Sequence, residues 1–158
     1  MAAKKPKTER AWHRKFAVDA FNGTWALLLK RRRTPEEDDR MIHMAHASRH
    51  HWGVVGEPVN FSIGEWQLSR VYAVLGREEP ATLHARRCLA VCEEHGLGDF
   101  ALAYAYEALA RADAVAGRKR DFHRHRELAI QAGERIVEAD DRALFRNDLH
   151  TLRAPRIG

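Results

Sequence analysis

The sequence has few of the features that mark membrane, secreted or nucleotide-using proteins. No unbroken apolar run, Trp25 to Leu29 among them, comes near the roughly 18–20 residues that a bilayer-spanning helix needs. The N-terminus lacks the apolar core of a signal peptide, so a cytoplasmic location without membrane attachment is the expectation. Only two cysteines occur, Cys88 and Cys92. One helical turn apart in a segment that reads as helix, they do not suit disulfide geometry; reduced, partly buried thiols are expected. There is no Gly-rich phosphate loop, no Gly-x-Ser-x-Gly elbow, no Cys-x-x-Cys pair and no His-Glu-x-x-His sequence. Nucleotide-dependent, redox-disulfide and zincin chemistry therefore lose their usual signatures, and neither a catalytic residue nor a cofactor is expected.

What is present is enough for one folded domain. The chain has 158 residues, of which 45% are hydrophobic, and carries a formal charge of +5. That charge is uneven: residues 1–33 hold ten Lys and Arg against Glu9 and Asp19. Met1 to about residue 10 reads as a flexible basic arm, and Lys30-Arg31-Arg32-Arg33 as the end of a first helix, where cations complement the helix dipole. Such a cluster is compatible with nucleic acid but does not require it.

Turn and cap signals divide the remainder into helices. Thr34-Pro35-Glu36-Glu37 reads as an N-cap, a first-position proline and an acidic first turn. Gly53, Gly56, Pro58 and Asn60 mark a loop, Gly76 with Pro80 a tight turn, Gly96 and Gly98 another, and Gly117 a fourth. Sustained strand-like alternation is absent. The predicted helices run roughly over 11–33, 35–54, 62–76, 79–95, 99–117 and 119–138, followed by a short one at 141–152. Residues 11–152 are thus read as one helical domain, with 153–158 as a tail. Ala143, Leu144, Leu149 and Leu152 are available to cover the last hairpin.

A repeat emerges at a fixed offset. Trp25 aligns with Trp66, Leu27 with Leu68 and Leu109, His43 with His84 and His125, Ala47 with Cys88 and Ala129, and Gly76 with Gly117. In the middle copy, Leu68-Ser69-x-x-Tyr72-x-x-x-Gly76 followed by Ala81-x-x-x-Ala85-x-x-Cys88-Leu89 resembles a tetratricopeptide unit. Glu65 and Tyr106 stand where that pattern places Trp, and the repeat is longer than its usual ~34 residues. The resemblance implies an all-α, right-handed stack of three helical hairpins with a C-terminal capping helix. The strings Ala45 to Trp52, Gly64 to Tyr72 and Gly98 to Ala112 also resemble segments of uncharacterised bacterial, actinobacterial-type proteins with such repeats, for which no activity is implied.

Two candidate sites follow. In a tetratricopeptide-like stack the first helix of each hairpin lines the groove, which places Asn22, Trp25, Trp66, Arg70, Tyr104, Glu107 and Arg111 there. Aromatic residues with arginine are the composition of binding hot spots, and guanidinium forks suit carboxylates. A non-enzymatic adaptor module holding a peptide, a protein segment or a small anionic ligand is the leading expectation. The other reading of the same residues is internal: Trp25 and Trp66 pack between hairpins, and Glu107 pairs with Arg70 or Arg111.

The alternative site is the histidine cluster at 43–51. His46 and His50 are one turn apart and could ligate a metal ion, completed by Glu65 or Glu107 from another helix, which would suit a small metal-dependent enzyme or metal-binding protein. Against this, the repeat register turns His50 inward beside Val91 and Ala132, leaves His43 outward, and lets His46 bond a neighbour. His84, Cys88 and Cys92 form a second stripe that reads as core packing. Trp12, Phe16, Val18 and Phe21 are spare apolar surface on the first helix, available for a homodimer.

Overall fold

The computed structural model describes residues 8–155, and among these it contains seven α-helices and no strand. They are α1 (Glu9–Leu28), α2 (Pro35–Val55), α3 (Pro58–Val74), α4 (Glu78–His95), α5 (Asp99–Val115), α6 (Lys119–Glu134) and α7 (Ala139–His150). No described helix is long and apolar enough to cross a membrane. The basic arm expected over 1–10 lies outside the described residues up to position 7; Glu9 and Arg10 belong to α1, which Thr8 caps through its side chain (Ala11 N to Thr8 Oγ1, 3.2 Å).

Local chemistry sets the boundaries, and two of them differ from expectation. The first helix stops at Leu28 instead of running to Arg33, because Arg33 turns back on it. Its Nη1 donates to the carbonyls of Leu27 (3.3 Å) and Lys30 (3.4 Å), and its Nε to Asp38 (2.6 Å). The guanidinium supplies from outside the helix what a continuing turn would have supplied. Lys30 pairs with Glu37, so half of the basic cluster is committed to the α1–α2 junction. The second difference is α3, which begins at Pro58 and not near 62. Pro58 is tolerated at the first position, where its missing N–H costs nothing, and the Glu57 N–H donates to Asn60 Oδ1 at 2.8 Å. The break therefore shrinks to Gly56 and Glu57. The start of α2 is as expected, a reciprocal capping box between Thr34 and Glu37.

The helices pack as consecutive pairs: α1 with α2, α3 with α4, and α5 with α6. Neighbouring pairs join mainly through α2 on α3, α4 on α5, and α3 on α5, while α7 lies across α5 and α6. Small residues allow the close approach. Ala81, Ala85 and Cys88 on α4, and Ala101, Ala103, Ala105, Ala108 and Ala112 on α5, are all buried. Leu27, Leu68 and Leu109 are buried at equivalent places. The turns after α3 and α5 are copies: Gly76 and Gly117 sit at φ +69° and +71°. In each copy the following amide reaches back, Arg77 N to Tyr72 O and Arg118 N to Asp113 O, both at 2.9 Å. Left-handed backbone is what glycine supplies at a helix C-terminus.

The terminal helix is anchored differently from the expectation. Leu149 and Leu152 are buried, but Leu144 is 58% exposed and Ala143 is exposed too. The anchor is Phe145, fully buried against Gly133 and edge-on to Tyr104 with ring centroids 4.9 Å apart.

Candidate functional site

A ladder of side chains from α1, α3, α5 and α7 crosses one face of the molecule. Trp25, Trp66, Glu107 and Asp148 succeed one another at a constant spacing of 41 residues, so α7 continues the register of the first helices in each pair. The two indoles meet with centroids 5.5 Å apart, and Trp66 packs on Tyr104 at 4.7 Å. Trp66 Nε1 donates to Glu107 Oε2 at 2.9 Å. Arg111 Nε donates to Glu107 Oε1 at 2.7 Å and Arg70 Nη1 to the same oxygen at 3.4 Å. Arg111 Nη2 also reaches Thr151 Oγ1 at 2.7 Å, tying α5 to the end of α7. Tyr104 donates its hydroxyl proton to Asp148 Oδ2 at 2.8 Å, and Arg70 Nη2 lies 4.0 Å from Asp148 Oδ1.

Glu107 is fully buried, and a buried carboxylate is tolerable only when paired and hydrogen-bonded; two guanidiniums and an indole N–H meet that need. Burial, reinforced by the Arg111 guanidinium, lowers the Arg70 pKa, while Glu107 and Asp148 oppose the shift. Burial and the bond to Asp148 push the Tyr104 phenol well up, so it remains a donor.

Above this ladder lies a cavity of about 510 Å³. Phe21, Trp25 and Leu29 form one wall, Ile63, Trp66, Phe100 and Tyr104 the floor, and Asp141, Leu144 and Asp148 the wall contributed by α7. Of the groove residues expected from sequence, Trp25, Trp66 and Tyr104 line this cavity. Arg70, Glu107 and Arg111 instead form the ion network beside it, and Asn22 is exposed but outside the lining. The Trp pair packs between helix pairs and also walls a hollow, whereas the arginines are engaged internally. Sequence reasoning missed Asp141, Leu144 and Asp148. Carrying the same spacing once more beyond Glu107 reaches Asp148, a signal that was available.

The histidines form a different cluster. His46 Nε2 lies 2.8 Å from the Tyr72 hydroxyl, with its ring 5.5 Å from that of His84. His84 Nδ1 lies 2.7 Å from Glu65 Oε2, and Arg49 Nε donates to Glu65 Oε1 at 2.9 Å. Burial opposes the Glu65 charge, but His84 and Arg49 outweigh it and hold its carboxyl below the usual value. Burial, aided by His84, lowers the His46 pKa. His50 does not join them, nor does it face inward as the register suggests: it is exposed, edge-on to His51. His46 and His50 therefore face different partners. Among the described residues no three His, Cys, Asp or Glu side chains are grouped to hold a metal ion. Glu65 is taken by His84 and Arg49, and Glu107 by the arginines.

Cys88 and Cys92 are free and buried, 3.5 and 3.2 Å from Ser62 Oγ. Bonded to Cys92 and desolvated, the Cys88 thiol is pushed well above its ordinary pKa, while the same bond lowers Cys92 to about 7; both thiols are buried. Compared with protein-family models, curated proteins and solved structures, the chain finds no match in any of the three.

Proposed function

We propose that the chain is a non-enzymatic binding module, a tetratricopeptide-like right-handed stack of three hairpins closed by α7, whose groove holds a segment of a partner polypeptide. The repeat register, the pairwise helix packing and the copied glycine turns support the architecture. The observation that carries the function is the cavity of about 510 Å³ walled by aromatic side chains from α1, α3 and α5. Its size falls within the ~300–1,000 Å³ of ligand pockets, and rigid aromatic walls are what such sites use for affinity. Of the two ligand classes expected from sequence, the geometry favours a peptide over a small anion, because Arg70 and Arg111 are already occupied by Glu107 and Asp148.

The test is selection of peptides from a random displayed library against the purified chain, followed by Trp25→Ala and Leu144→Asp. Both side chains border the cavity without being fully buried, so the fold should survive. Loss of binding at an unchanged melting temperature supports the groove; selected peptides that bind both variants as well as the parent place the binding face elsewhere.

A second face favours self-association. Phe16 and Val18 on α1 are 45% and 40% exposed, apolar side chains that a second copy could cover. Light scattering that shows only monomer at high micromolar concentration counts against it.

A further inference from the structure

The cavity's polarity runs against that of the chain. The whole protein is basic, yet among the described residues no Lys, Arg or His lines the cavity, and the ionisable linings there besides Tyr104 are the carboxylates of Asp141 and Asp148. The basic run at 30–33 follows Leu29, but none of its side chains reaches the lining, and Lys30 and Arg33 are paired with Glu37 and Asp38. Asp148 is partly satisfied by Tyr104 and faced by Arg70 at 4.0 Å. Asp141 is exposed and has no hydrogen-bond or ion-pair partner among the described residues.

The aromatic walls point the same way. Trp66 spends its N–H on Glu107, and Tyr104 spends its O–H on Asp148. Trp66 and Tyr104 are only 5% and 8% exposed, and what reaches the cavity of each is ring without its donor. An anion entering here gains no hydrogen bond from either and meets two carboxylates. A positive charge on an apolar stem gains ring faces, desolvated attraction and an unpaired carboxylate at the rim.

Resting on the groove reading above, we infer that the bound segment inserts a basic side chain, lysine or arginine, flanked by apolar residues, with its stem on Trp25 and Trp66 and its charge toward Asp141 and Asp148.

The experiment uses three capped peptides, acetyl-Leu-X-Leu-amide, with X lysine, norleucine or glutamate. Each is titrated into the full chain while the Trp25 indole resonance is followed by NMR. The expected order is lysine, then norleucine about threefold to tenfold weaker, then glutamate, a spread typical of cation–π and partly exposed ion-pair interactions. In Asp141→Asn, an exposed position, the lysine advantage should shrink while norleucine affinity stays the same. If norleucine binds as well as lysine, or Asp141→Asn leaves their ratio unchanged, the basic side chain is wrong and the groove stands. If none of the three moves the Trp25 resonance, the groove reading fails and this inference falls with it.

Discussion

Trp66 donates its indole proton to Glu107 across 2.9 Å, although the two residues occupy the same place in successive repeats. One position of the repeat thus changes chemistry along the stack, from Trp25 through Trp66 to carboxylates at Glu107 and Asp148, and the indole is where the apolar half hands over to the charged half. Replacing Glu107 by Ala leaves two guanidiniums with little solvent facing each other. The expected cost is about 3–5 kcal/mol, the usual penalty for unpairing a buried charge, read from urea denaturation. Trp66→Phe, which keeps an aromatic ring but removes the indole N–H and part of the buried ring system, should cost about 2–3 kcal/mol, less than the loss of the carboxylate.

Gly133 offers a test of sign. At an ordinary helical position Gly→Ala gains up to ~1 kcal/mol. Here a Cβ would lie 2.4 Å from Phe145 Cε1 and 2.6 Å from Cδ1, atoms of a ring that is fully buried and cannot swing aside. Gly133→Ala should therefore destabilise by about 1–3 kcal/mol, with hydrogen-exchange protection lost first in α7.

Gly76 and Gly117 should respond through the backbone alone. Nothing lies within 4 Å of a Cβ built at either, yet both have positive φ. Alanine at each should cost about 1–2 kcal/mol, and because the turns are copies the two costs should be nearly equal in thermal denaturation.

Acidification should weaken the fold in two stages. His46 has a folded pKa below its ordinary 6.5, so the unfolded chain binds its proton more readily; the stability it contributes is full above about 6.5 and is lost as pH falls through the folded value. His51, lowered by burial and by His13, adds to this stage. Glu65 has a folded pKa below its ordinary 4.5, so its contribution is present above that value and disappears as pH falls further. Urea midpoints measured from pH 7 to 3 should show both losses. Glu65→Gln should flatten the lower stage and His46→Asn part of the upper one.

Much of the helical layout was legible in the sequence because helix punctuation is local chemistry. Thr34-Pro35 with Glu37, and the glycines at 76, 96 and 117, act on their own backbone, and the structure places them as read. Leu28 was not legible as an end, because what stops α1 is Arg33 returning from five residues away. The cavity lining was half legible. Side-chain spacing located Trp25, Trp66 and Tyr104, but periodicity assigns a direction and not a partner, so it could not say that Arg70 and Arg111 would be consumed by Glu107 and Asp148. His50 failed for a related reason: a register carried over from α4 and α6 gives a position along α2 and not the neighbours met there, and His50 meets His51 at the surface.

The position of α7 links two equilibria. It supplies both carboxylates and one wall of the cavity, and it is held by Phe145, Leu149 and the Thr151 bond to Arg111 rather than by a second helix of its own pair. A ligand seated against that wall binds only the docked arrangement, so by mass action occupancy and docking must raise each other by the same factor. If the groove binds as proposed, the terminal helix is a built-in reporter: its amide exchange should slow on saturation, in proportion to affinity.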